Sequence, residues 1–170
     1  MHCPHCSRDI DDPVPECPEC GFHIRDLDAV FGEPPERDGP IVDAVGILSR
    51  RGLRNIDERI DEINKRSKVE IVVATVASSH GRKSAEYVFW LFNRWAVGGE
   101  QHRGVAILVD MEARRIESEV GASLEAVLTD DASEAILSEH AAPLLAMKHY
   151  DEGLLHAVDV IGRVLENASK

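Results

Sequence analysis

Aromatic residues make up only 5% of this chain, and no apolar run approaches the roughly 20 residues that a membrane span needs. The first residues, MHCPHCSRD, have neither the basic n-region nor the apolar h-region of a secretory signal, so the chain is expected in the cytoplasm. No Ser-His-Asp, Cys-x5-Arg or P-loop signature is present, which leaves a covalent catalytic mechanism without support. Basic residues are outnumbered, 19 against 31 acidic, for a formal charge of −12. Such a surface repels phosphate backbones, so nucleic acid is not a favoured partner. The densest basic cluster, Arg50, Arg51 and Arg54 with Arg59 beyond, is interleaved with Asp57 and Glu58 and reads as a solvated helix entrance.

Cysteine is absent after position 20, and all four cysteines fall before it, as Cys3-Pro4-His5-Cys6 and Cys17-Pro18-Glu19-Cys20-Gly21. Two CxxC pairs at this spacing point to zinc, because two intervening residues let both sulfurs of one tight turn reach a single ion and four thiolates complete a tetrahedron. Two disulfides or a redox CxxC are the alternatives; a reducing compartment and the duplicated motif weigh against them. Pro4 and Pro18 preset the turns, and Gly21 allows a positive φ after the last ligand. His2 and His5 adjoin ligands but are surplus to a four-thiolate site. Residues 1–25 thus read as a zinc ribbon. Its charges, Asp9, Asp11, Asp12, Glu16 and Glu19 against Arg8 and Arg25, favour a structural or protein-contacting role over nucleic-acid binding.

Residues 26–40, DLDAVFGEPPERDGP, break both helical and strand patterns and read as a linker or extended arm, with Ala29, Val30 and Phe31 able to dock on a neighbour. From 41 to 170 one domain follows. After the apolar stretch from Ile41 to Leu48, Leu53, Ile56, Ile60 and Ile63 share one face of a helix ending near Arg66. Val69 to Ala77 is a β-branched apolar run, as in a strand covered on both faces. Ser84 can cap a second helix carrying most of the aromatics, ended by Gly98-Gly99, and Gly104 opens a second buried strand. Strand, helix, strand implies a right-handed parallel unit. Asp110 to Ala113 then turn into the strand Arg114 to Val120, an antiparallel hairpin that sets Gly104 against the Val120 end. Helices from Asp131 to about Met147 and from Asp151 to Glu166 complete a three-layer α/β/α sandwich with a mixed sheet.

The run from AEYVFWLFNRWAVG through GVAILVDMEARRIESEVGASLEAVLTD to AAPLLAMKHYDEGLLHAVDVI, with VDAVGILS upstream, resembles the TPM-domain family over roughly residues 41–165. The order and spacing carry the resemblance: a helix ending in Trp and a Gly turn, a Gly-opened strand, R-x-I-x-x-x-V-G, L-T-D at a helix start, and Tyr-x-x-Gly-Leu. The resemblance implies the same sandwich and several possible roles: divalent-metal binding, weak acid phosphatase activity in some members, and assembly or repair of protein complexes. Many members are secreted or membrane-tethered.

The resemblance also points to a functional edge between the loop before Gly104 and the turn Leu128-Thr129-Asp130-Asp131. Asp130, Asp131 and Glu119, with Glu100 nearby, offer hard oxygen donors for Ca²⁺ or Mg²⁺. Asp130 is the likeliest match to the family position. Relatives often carry an acid in the loop, where this chain reads Gln101-His102-Arg103. His102 and Arg103 would then modulate the edge, since a guanidinium within reach of Asp130 neutralises it without an ion. Both aspartates also serve as helix-start residues that complement the dipole, which needs no metal. Strand rise of about 3.3 Å per residue puts Arg114 and Arg115 far from Asp130, so Arg115 reads as structural. The leading function is a non-catalytic interaction or complex-assembly module with a protein partner; the alternative is a weak divalent-metal-dependent acid phosphatase.

A segment of about 25 residues cannot bury enough surface to fold alone, whereas structural zinc contributes roughly 10 to 16 kcal/mol in such peptides. Chelation should therefore unfold the ribbon and leave the larger domain's cooperative thermal transition in place; loss of that transition together with the metal would refute a two-module chain.

Overall fold

The computed structural model describes residues 2–9 and 16–168. Asp11 and Asp12 of the ribbon lie outside the described residues. Four strands form one sheet in the order β1 (Ile41–Asp43), β2 (Glu70–Val76), β3 (Gly104–Asp110) and β4 (Arg115–Val120). The first three are parallel neighbours, and β4 pairs antiparallel with β3. β3 is buried at every position, as expected for an apolar strand covered on both faces. β1 is a fourth strand where the sequence pattern shows only a short apolar stretch; at three residues it is too short to display a period.

Alternation sorts the sheet into two faces. Ile71, Val73, Val105, Ile107 and Val109 pack under α2 (Arg50–Ser67) and α6 (Tyr150–Ala168). Val72, Ala74, Val76, Ala106 and Leu108 pack under α3 (Ser84–Arg94). This is the expected three-layer α/β/α sandwich. β1, β2 and β3 stand side by side in chain order, yet α2 and α3 cover opposite faces. Successive crossovers of one hand would place both helices on the same face, so these two differ in hand and the right-handed preference holds for only one.

α2 and α6 lie parallel, pinned at both ends. The Ser49 amide donates to Asp151 Oδ1 at 2.9 Å, and Arg59 donates to Asp159 and Glu166 at 2.9 Å each. The Arg59 hydrogen bond holds the Glu166 carboxyl below its ordinary range. The helix expected from Asp131 to Met147 is interrupted: α4 (Asp130–Ile136) runs into a π-helical turn, Leu137–Ala141, and then α5 (Ala142–Ala146). Pro143 sits at the start of α5; it lacks an N–H and its ring crowds the preceding turn, which accounts for the wider turn there. Thr129 caps α4 by accepting from the Ala132 amide at 3.1 Å, so Asp130 and Asp131 occupy the first turn. Ser84 is likewise inside α3, its hydroxyl donating to buried Asp110 at 2.9 Å instead of capping.

The arm between the cysteines and the sheet is not extended at its start. Residues 24–31 form α1 (Ile24–Phe31), which begins with a capping box between His23 and Asp26. Leu27 is fully buried, and Phe31 packs on Tyr87 and Trp90, with ring centroids at 4.7 and 5.0 Å. Asp28 accepts from Trp90 Nε1 at 2.9 Å and from Arg94 Nε at 2.7 Å. These hydrogen bonds, Arg94's first, hold the Asp28 carboxyl below its ordinary value. The expected docking of Phe31 is therefore present, through a helix that the Pro-Gly composition downstream obscures.

After Val120 the chain reverses at Gly121, whose amide donates to the Gly104 carbonyl at 2.9 Å. A Cβ built on Gly121 would stand 1.9 Å from the His102 carbonyl oxygen, a backbone atom with little room to yield. Gly121→Ala should cost roughly 3 kcal/mol and lower the thermal midpoint, with the β3–β4 hairpin losing amide protection first.

Candidate functional site

Two clusters of reactive side chains lie on the same side of the molecule. In the first, each CxxC forms a knuckle closed by two backbone hydrogen bonds: Ser7 N to Cys3 O at 2.8 Å with Cys3 N to Arg8 O at 2.8 Å, and Gly21 N to Cys17 O with Cys17 N to Phe22 O, both at 2.9 Å. The residue after each second cysteine takes a positive φ, 59° at Ser7 and 70° at Gly21, so glycine meets the expectation at one knuckle and serine bears the strained conformation at the other. The four sulfurs lie within 4.8 Å of one another, with Cys3 and Cys20 at 3.8 Å and Cys6 and Cys17 at 3.9 Å. A tetrahedral ion with thiolates at about 2.3 Å has sulfurs about 3.8 Å apart, so the donor set fits one metal ion. Burial pushes the Cys17 thiol up, but amide donors from Cys20 and Glu19 outweigh it and bring it to about 7. Burial and the neighbouring thiols push Cys20 to about 12.

In the second, an open cleft of ≈ 650 Å³ runs along β4. Its floor is Arg115 to Glu119; one wall is Asp130, Asp131 and Glu134 of α4, and the other is His2, Cys3, Pro4 and Ser7 of the first knuckle. Arg82, Lys83 and Ser84 at the start of α3 close one end. The Gly121–Gly104 hydrogen bond makes 119/106, 117/108 and 115/110 the bonded pairs in the register of β4 on β3, so the backbone groups of Ile116, Ser118 and Val120 point away from β3, along the outer edge.

Asp130, Asp131 and Glu119 all line this cleft, but among the described residues only the four cysteines bring three or more donor atoms within 4.8 Å of one another. His102 and Arg103 do not line it: the Arg103 guanidinium donates to the Ser67 carbonyl at 2.9 Å, and the His102 carbonyl accepts from Ser123 at 3.1 Å. Glu100 sits in an exposed turn, Gly99–Gln101. Arg115 lines the same cleft as Asp130 and Asp131, and its charged partner there is Glu117. The turn Ala122–Leu124 sends α4 back beside β4, where Ser118 Oγ and Ser133 Oγ are 2.7 Å apart. Arg115 donates to Glu117 at 3.0 Å, whose carboxyl burial raises despite the arginine.

The two clusters touch. The His2 amide donates to Asp130 Oδ2 at 3.0 Å, His5 Nδ1 lies 2.6 Å from Glu86 Oε1, and Lys83 Nζ donates to the His5 carbonyl. Phe22 of the second knuckle stacks on His5 at 5.8 Å and meets the edge of Phe89 at 5.9 Å. Glu86 and Lys83 escape the sequence pattern. One signal was available: Glu86 stands four residues before Trp90 on the buried face of α3, and a carboxylate in an apolar stripe requires a partner.

A parallel-edged α/β sandwich carrying a separate four-thiol centre defines the class. The family model for the TPM domain matches residues 41–164, and the chain belongs to that family. Among solved structures it is similar to the N-terminal domain of a protein from P. gingivalis, at 26% identity and a TM-score of 0.70 over 75% of this chain and 82% of that one. It is also similar to the N-terminal domain of the cg2496 protein from Corynebacterium glutamicum, at 16% identity and a TM-score of 0.61 over 78% and 83% of the two chains. The BA42 protein from Bizionia argentinensis matches at 16% and 0.61 over 71% and 82%. At 16% identity these last two show the fold alone. No curated protein matches the chain. Among the described residues no helix is long and apolar enough to cross a membrane.

The thiol cluster should bind one metal ion per chain, measured by elemental analysis of the purified protein; Cys6→Ser should abolish stoichiometric binding, and affinity should fall with pH as the thiolates are protonated.

Proposed function

We propose that this chain is a zinc-binding TPM-domain protein that works as a non-catalytic interaction or complex-assembly module with a protein partner. Zinc is the ion that four thiolates in a tetrahedron suit, and its role here is structural. A tetrathiolate site also suits a reducing compartment, the cytoplasm. The carrying observation is the seat of the first knuckle on the acidic cleft. The His2 amide takes up Asp130 Oδ2, the carboxylate that a second divalent ion would need most. The net charge of −12 keeps nucleic acid the disfavoured partner.

One observation favours the second reading, a weak divalent-metal-dependent acid phosphatase. Asp130, Asp131 and Glu119 line the same cleft as Arg115 and Lys83, so one cleft contains both hard oxygen donors of the kind Ca²⁺ or Mg²⁺ takes and cations able to hold a phosphate. In that reading Asp130 and Asp131 hold the ion or act as base, and Arg115 orients the phosphate. His102 and Arg103 act on the edge only indirectly, through the backbone that seats Gly121.

Turnover of p-nitrophenyl phosphate with Mg²⁺, Ca²⁺ and Mn²⁺ separates the readings. The interaction module is expected to show no metal-dependent turnover, with wild type and Asp130→Asn alike. Robust metal-dependent turnover abolished by Asp130→Asn would establish the phosphatase instead.

A further inference from the structure

We infer that the cysteine knuckles are a metal-dependent cover for the acidic cleft: with the four thiols engaged by one ion the first knuckle lies over Asp130 and Glu86, and with that ion lost it leaves them open. The inference rests on the metal reading of the thiol cluster and holds whether the cleft binds a protein or a phosphate.

The contacts that close the cover are made by residues chained directly to ligands. His2 precedes Cys3 and His5 precedes Cys6. Through these two residues the knuckle reaches both sides of the cleft mouth, Asp130 on α4 and Glu86 with Lys83 on α3. The His2 contact depends on the path of the peptide bond into Cys3, because it is a backbone amide that donates. Among the described residues that path is held by the two backbone hydrogen bonds noted above and by the pairing of His2 with Asp9, whose side chains meet at 2.9 Å, and so short a segment is shaped by its ion.

Glu86 shows what the cover conceals. Its side chain is 2% exposed while the side chain of His5 against it is 45% exposed, so a buried carboxylate lies directly beneath a solvent-facing residue of the ribbon. Its other charged contact is Arg82 Nε at 2.7 Å, from its own helix. Without the ribbon, Glu86 is a surface residue in the first turn of α3, where a carboxylate is well placed against the helix dipole. Uncovering it therefore leaves no unpaired buried charge, and the larger domain tolerates the loss.

The hinge is also visible. α1 holds to α3 through Leu27, Asp28 and Phe31, none of which depends on the thiols. A released ribbon stays tethered next to the cleft at high effective concentration, so recovery of the ion closes the cover again. By reciprocity, a cation or cationic segment that takes Asp130 from the His2 amide weakens docking of the ribbon.

Carboxyl footprinting of the full chain with a carbodiimide and glycine ethyl ester, read by mass spectrometry, tests this in the metal-loaded and chelated forms. Labelling of Glu86, 2% exposed, should rise about tenfold or more on chelation, as expected for a locally opened segment, and that of Asp130, already 28% exposed, should rise less, while Asp110, fully buried at the end of β3 against Ser84, stays protected. Glu86 that remains protected in the chelated chain, with metal shown to bind the loaded one, overturns the cover and leaves the metal reading standing. Asp110 labelled alongside Glu86 also overturns it, because the ion then holds the whole fold. A chain that binds no metal at its thiols overturns both.

Discussion

The closest constraint in the molecule is the meeting of two backbones at the Val120 end of the hairpin. Gly121 lies against the His102 carbonyl with no room for a Cβ and donates to Gly104. That contact sets the register of β4 on β3, and in a two-residue period the register decides which face every side chain takes. With it, Ile116 and Val120 join the core under α4 and α6, while the outward backbone groups of Ile116 and Ser118 line a cleft. A slip of one residue would bury Glu117 and Glu119 in the apolar layer instead. The turn that follows Gly121 then determines that α4 comes back along β4, which is how Asp130 and Arg115 come to share a cleft.

The described residues before Gly32 are an extra layer on α3 rather than a free appendage. Their contacts have two origins. α1 is held by ordinary burial and by Asp28, whose carboxylate is stabilised by Arg94 and Trp90. The knuckles are held by polar contacts, by the Phe22–Phe89 pair and by burial of Cys3, Cys17 and Phe22 in the apolar layer on α3. The acidic cleft and the thiol cluster are therefore physically adjacent, within one residue of each other at His2 and Cys3.

Much of this was legible in the sequence, for reasons that are local. The CxxC spacing specifies the four-thiol centre because ligand reach is a matter of two intervening residues. Apolar period and β-branching mark β2, β3 and α2, since burial on one or both faces leaves a chemical record at each position. Asp130, Asp131 and Glu119 were identified as one edge, and they do line one cleft. What failed to show was whatever depends on chain reversal. The helix after the turn runs back beside β4, where Ser133 meets Ser118, so Asp130 and Arg115 line one cleft. Arg103 was placed near Asp130 by loop proximity, but its guanidinium reaches the end of α2 instead.

The sequence by itself determined β2, β3, β4, α2, α3 and α6, the clustering of the four thiols and the α/β class, because propensity, period and ligand spacing act within a few residues. Tertiary structure alone decided that α2 and α3 lie on opposite faces, that His5 meets Glu86 across 81 residues, and that His2 meets Asp130 across 128. Those are pairings between distant segments, set by how the layers pack and where Gly121 lets the chain turn, and no local pattern encodes them.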